Sequence, residues 1–186
     1  ISNFNLKERN ELTHWIMALM SSDIEERLGR NQVDVRVIEY MYDLLEKNLR
    51  LPANSEYEGD REIQIFIGIP RNYLKFDLDM LGFILFKYFN GEWQDEVTEE
   101  LIAEIANNIS SLKSAIDEQL DHPVAKQLNR YVSRYTIVFS VLTDVIQDNP
   151  VKVYETIKTD PKAFPRLVKQ KANQRYQEAK SKLWRT

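Results

Sequence analysis

A histidine-based catalytic or metal site needs histidines that can meet, and this chain of 186 residues has two. His14 follows Glu11 as E-x-x-H, the spacing that sets a carboxylate and an imidazole on one helical face in di-metal carboxylate sites. Such sites need a second copy of the motif from another helix. His122 is the only other histidine, and although Glu118 precedes it, Pro123 places it at a turn. Half of the constellation is therefore missing. Asp77 and Asp79 spell D-x-D, a spacing used for divalent cations with nucleotide substrates. Helix capping and the helix dipole account for both residues without a ligand. No glycine-rich phosphate loop and no G-x-S-x-G turn is present. Cysteine is absent, which removes disulfides, thiolate metal sites and cysteine nucleophiles and fits a reducing compartment. The sequence thus names no catalytic residue, no metal ligand and no cofactor.

Charge is more informative. Glu96, Glu100 and Glu104 recur every four residues and form an acidic ridge. If the helices that carry them fold back on each other, Asp144 and Asp148 join this ridge. Carboxylate oxygens there suit a hard divalent cation, but a solvated acidic face is the simpler expectation. Residues 158–186 hold nine Lys or Arg against two acids, a balance of +7, whereas residues 1–157 hold 16 against 27, a balance of −11. The whole-chain value of −4 hides this split. Projected on a helix, Val168, Ala172, Tyr176, Ala179 and Leu183 make a narrow apolar stripe. Arg166, Lys169 and Lys180 line one side of it and Lys171, Arg175 and Lys182 the other. Trp184 and Arg185 follow.

The elements that position these residues read as helices. Glycine numbers five and proline six, too few for the turns of a sandwich or barrel. Asn5 with Glu8 forms a capping box for a helix to Met20, and Ser22 with Asp23 offers a cap for a second helix ending at Gly29. Asp34 caps the next helix, which Pro52 ends. Ile63, Ile65, Ile67 and Ile69 alternate as in a strand, yet no second strand-like run exists to pair with them. The stretch from Arg61 is expected to be helical and disturbed at Pro70. Asp77 caps "LDMLGFILFKYF", the most apolar helix. Two stripes follow: Val97, Leu101, Ile105, Ile109, Leu112, Ile116 and Leu120, then Leu128, Val132, Tyr135, Phe139, Leu142 and Ile146. They predict an antiparallel helical hairpin over 95–121 and 124–148. A short helix at Val151–Ile157 and a last one opened by Pro161 or Pro165 complete the chain.

The expected fold is all-α, a bundle of seven or eight helices built around that hairpin. An acidic helical domain over 1–157 carries a basic amphipathic helix over 158–186. The expected function is a non-enzymatic interaction or scaffold domain that binds a protein partner or itself. Its last helix would pack on the acidic body or sit near an anionic membrane surface on the cytoplasmic side. Trp184-Arg185 has the character of a flank that precedes a membrane span, which fits the soluble part of a membrane-associated protein. An enzyme with a carboxylate-based metal site is one alternative. Nucleic-acid binding through the tail is another, though a pI near 5.4 is the wrong sign for a dedicated binder.

Overall fold

The computed structural model describes residues 5–29, 32–52, 55–91 and 98–184. The fold is all-α, with eight helices and no strand among the described residues. They are α1 (Leu6–Gly29), α2 (Gln32–Asn48), α3 (Arg61–Tyr73), α4 (Leu78–Phe89), α5 (Glu99–Leu120), α6 (Ala125–Asp148), α7 (Pro150–Thr159) and α8 (Phe164–Leu183). The chain divides into two compact units, residues 1–133 and 134–186, with the division inside α6.

In the first unit the helix starts follow local chemistry. Asn5 and Glu8 exchange backbone-to-side-chain hydrogen bonds of 2.9 Å each, the reciprocal capping box. The Asp77 carboxylate accepts from the Met80 N–H at 2.9 Å, and Thr98 Oγ1 accepts from the Leu101 N–H at 3.2 Å. Other boundaries differ from the sequence reading. The break expected near Ser22 does not occur, because α1 runs on to Gly29. Ser22 is buried inside it, and Asp23 pairs with Arg27 on the same helix at 2.9 Å. Asp34 is not the cap of α2 but lies inside its first turn, where it accepts from the Tyr73 hydroxyl at 3.2 Å.

The isoleucine run is helical, as α3. Ile63, Ile65, Ile67 and Ile69 are all buried, and so are Gln64 and Gly68 between them. A helix covered nearly all round needs no 3.6-residue stripe, so alternation there carries no strand information. Pro70 sits in its last turns, and the Pro70 carbonyl accepts from the N–H groups of Leu74 at 3.1 Å and Phe76 at 3.4 Å. Lys75 turns the chain in the left-handed region, with φ 62°.

α4 is the centre of this unit. Met80, Leu81, Phe83, Leu85 and Phe86 are buried, together with Leu19 of α1, Ile63 and Ile67 of α3 and Ile116 of α5. The α5 stripe is taken up here: Ile105, Leu112 and Leu120 pack against the same core. Val97 of that stripe and residues 95–96 lie outside the described residues. Arg61, buried at the start of α3, donates to the carbonyls of Glu46 at 2.9 Å and Leu49 at 3.2 Å and pairs with Glu58 at 2.9 Å. It thereby closes the C-terminal end of α2.

The second unit holds residues 134–148 of α6, then α7 and α8. Asn149 caps α7 by accepting from the Lys152 N–H at 2.9 Å, with Pro150 at its first turn. Phe164-Pro165, not Asp160-Pro161, opens α8.

Two outcomes test this packing. A Cβ on Gly82 would stand 3.9 Å from Ile116 Cγ2 and Leu120 Cδ1, an ordinary contact. Gly82→Ala is expected to raise the unfolding free energy in urea by about 0.5–1 kcal/mol through reduced chain entropy. Gly68→Ala is expected to lower it, since its Cβ would stand 3.2 Å from Asn129 Oδ1, an atom held by Asn72 Nδ2 at 3.0 Å. The reverse order would show that these helices do not meet as described. Arg61→Met is expected to cost about 1–3 kcal/mol, because it leaves the Glu46 and Leu49 carbonyls at the end of α2 without their donor.

Candidate anionic-surface interface

α8 is built from good helix formers, rich in Lys, Arg, Gln and Ala, and needs little packing to persist within a folded unit. It has no side-chain N-cap. Its orientation is fixed instead by two cations. Lys171 Nζ donates to Asp148 Oδ2 at 2.6 Å, and Arg175 Nε pairs with Asp144 Oδ2 at 2.5 Å. Arg175 also donates to Ser140 Oγ at 2.7 Å. The later cation meets the earlier carboxylate, so α8 runs antiparallel to the end of α6 and the matched spacing lets both pairs form together. The hydrogen bond that Lys171 donates to Asp148 raises the Lys171 pKa above the ordinary ammonium value, opposed by desolvation and helped by the charges of Asp148, Asp144 and Glu178. A raised folded-state pKa means this contact contributes fully below the unfolded lysine value. The contribution is lost as pH climbs through the raised value.

This clasp turns the helix away from the register its apolar stripe suggests. The half-buried residues of α8 are Phe164, Leu167, Val168, Lys171 and Arg175. Ala172, Tyr176, Ala179 and Leu183 of the stripe are exposed. Tyr176 is 66% exposed, Leu183 77% and Trp184 81%, values that put large apolar groups in water. Arg166, Lys169, Lys180 and Lys182 are exposed and make no ion pair among the described residues. Lys169, Tyr176 and Lys180 share one outward face, with Arg166 beside them. Arg185 lies outside the described residues.

The acidic ridge has two different environments. Asp144 and Asp148 are engaged by Arg175 and Lys171. Glu100 and Glu104 are exposed on α5 and form no ion pair among the described residues, and Glu96 lies outside them. Glu11 and His14 are both exposed on α1, and Glu11 stands 3.7 Å from Lys7. Among the described residues no group of three or more His, Asp or Glu is placed to hold a metal ion. None of the described helices is long and apolar enough to cross a membrane.

His122 is more than a turn residue. Its side chain is 9% exposed, its Nε2 stands 3.3 Å from Asp60 Oδ2, and its Nδ1 accepts from the Val124 N–H at 3.3 Å. Asp60 also accepts from Gln119 at 2.9 Å, and the buried Gln64 donates to Gln119 at 2.8 Å. Tyr57 packs edge-on against the imidazole. The network joins the start of α3 to the end of α5, and no short-range motif announces it because its members lie 55 and 59 residues apart.

In comparisons with known proteins, no protein-family model, no curated sequence and no solved structure matches the chain.

Proposed function

We propose that this chain is a non-enzymatic helical interaction module whose last helix docks on an anionic membrane surface. The observation that carries the reading is the division of cations on α8. Lys171 and Arg175 turn inward to Asp148 and Asp144, while Arg166, Lys169, Lys180 and Lys182 stay exposed beside Tyr176 and Trp184. Each Lys or Arg near an anionic leaflet contributes about 1 kcal/mol, so the three cations that share the Tyr176 face, Arg166, Lys169 and Lys180, supply a few kcal/mol of reversible attraction. Tyr176 and Trp184 are the residue types that settle at headgroup level. The exposed apolar surface of α8 is too small for stable insertion alone, so contact would be shallow and sensitive to salt.

Co-sedimentation of the full chain with vesicles tests this. The chain is expected to pellet with vesicles containing phosphatidylserine at low salt and to stay in solution with phosphatidylcholine alone. Lys169→Glu combined with Lys180→Glu is expected to weaken pelleting by at least about tenfold, since two positive charges become negative at the surface. Equal pelleting on both lipids, or a double variant that binds as well as the parent, would defeat the reading. Tight binding to single-stranded nucleic acid with no vesicle binding would replace the membrane by a phosphate backbone.

A further inference from the structure

We propose that the half-open cavity bounded by the end of α1 and by α2, α3 and α4 binds an amphipathic amine, an apolar body that carries one ammonium group. This site lies wholly within the first unit and is independent of α8. The cavity measures about 540 Å³, inside the range of small-molecule sites. Its apolar wall includes Ile38, Phe66, Phe76 and Ile84. Four carboxylates, Glu25, Glu26, Asp34 and Glu39, line the same space, against the single ammonium of Lys87.

The condition of each charge decides the class of ligand. Glu26 holds Lys87 Nζ through both oxygens, at 2.5 and 2.6 Å. Glu39 pairs with Arg36 on its own helix at 2.9 Å. Asp34 receives the neutral Tyr73 hydroxyl, and Glu25 makes no ion pair among the described residues. Among the described residues, two carboxylates therefore face the cavity without a cation. An anionic ligand would meet repulsion there, and a neutral one would leave the carboxylates unused. Lys87 shows the chemistry that the mouth accepts. Its ammonium sits between the Glu26 carboxylate and the Phe83 ring, 4.9 Å from the ring centroid. A ligand ammonium at Glu25 and Asp34, with its apolar body toward Phe66 and Ile84, repeats that arrangement.

The test compares n-octylamine, octanoate and octanol, which share a tail, by amide NMR titration of the full chain below their aggregation concentrations. Octylamine is expected to saturate one site, to move resonances around Ile38, Phe66 and Ile84, and to bind at least about tenfold tighter than octanoate, a difference of roughly 1.4 kcal/mol. Glu25→Gln with Asp34→Asn is expected to bring the two affinities within about threefold and to leave octanol binding unchanged. Ile84→Phe, which fills the wall, is expected to remove binding of all three. Equal affinity for octanoate and octylamine, perturbations scattered over exposed residues, or a preference that survives the double carboxylate variant would each overturn the proposal. That variant leaves α8 unaltered, so vesicle pelleting reports separately on the membrane reading.

Discussion

The first unit depends on one constraint, that α4 is too apolar to be left uncovered around most of its circumference. Met80, Leu81, Phe83, Leu85 and Phe86 point around most of its circumference, and all are buried. Burying a large aliphatic or aromatic side chain contributes roughly 1.5–3 kcal/mol, so covering these five positions is strongly favoured. α1, α3 and α5 each supply a wall. Ile116 and Leu120 of α5 pass beside Gly82, and Trp15 meets Phe86 edge to face at 6.4 Å on the α1 side. Where the covering is incomplete, near Ile84 and Lys87, the cavity remains. The carboxylates around it come from α1 and α2, whose outer residues are free to be polar because their inner faces already serve α4 and α3.

The second unit is organised by different forces. α8 has no buried residue at all. Two ion pairs set its rotation, each short but only partly shielded from water. Exposed pairs of this kind contribute little to net stability, yet they can select among rotations of a helix that differ little in apolar burial. The apolar stripe of α8 is weak, with two alanines among its five members, and its burial gains too little to compete. As a result Tyr176, Leu183 and Trp184 face outward.

This contrast explains what could be read from the sequence. The all-α class, the capping box at Asn5 and Glu8, the cap at Asp77, and the burial of α4 all follow from residues close in the chain. The failures are non-local. α1 continues past Ser22 because Ser22 is enclosed and because Glu26, further along, meets Lys87 of α4, 61 residues away. The rotation of α8 depends on carboxylates of another helix. Gln64, Gln119, Asp60 and His122 form a network whose spacing has no signature, and the cavity has walls from four helices. The outward cations of α8 were legible as types and positions. Which of them would be engaged was not, since a helical projection gives angles but no neighbours.

Ionic strength separates the two roles of the α8 cations. Lys171 and Arg175 touch their carboxylates directly, at distances far below the Debye length of about 8 Å at physiological salt. On the proposed reading, Lys169 and Lys180 would act across water on charges at a surface, where screening is strongest. Added salt therefore weakens the outward attraction before it loosens the inward clasp. On that reading the helix would keep its orientation while its attachment changed. Acting as a rigid, reversible contact requires this asymmetry, and it arises from placing the carboxylates Asp144 and Asp148 under only one side of a helix that is cationic on several.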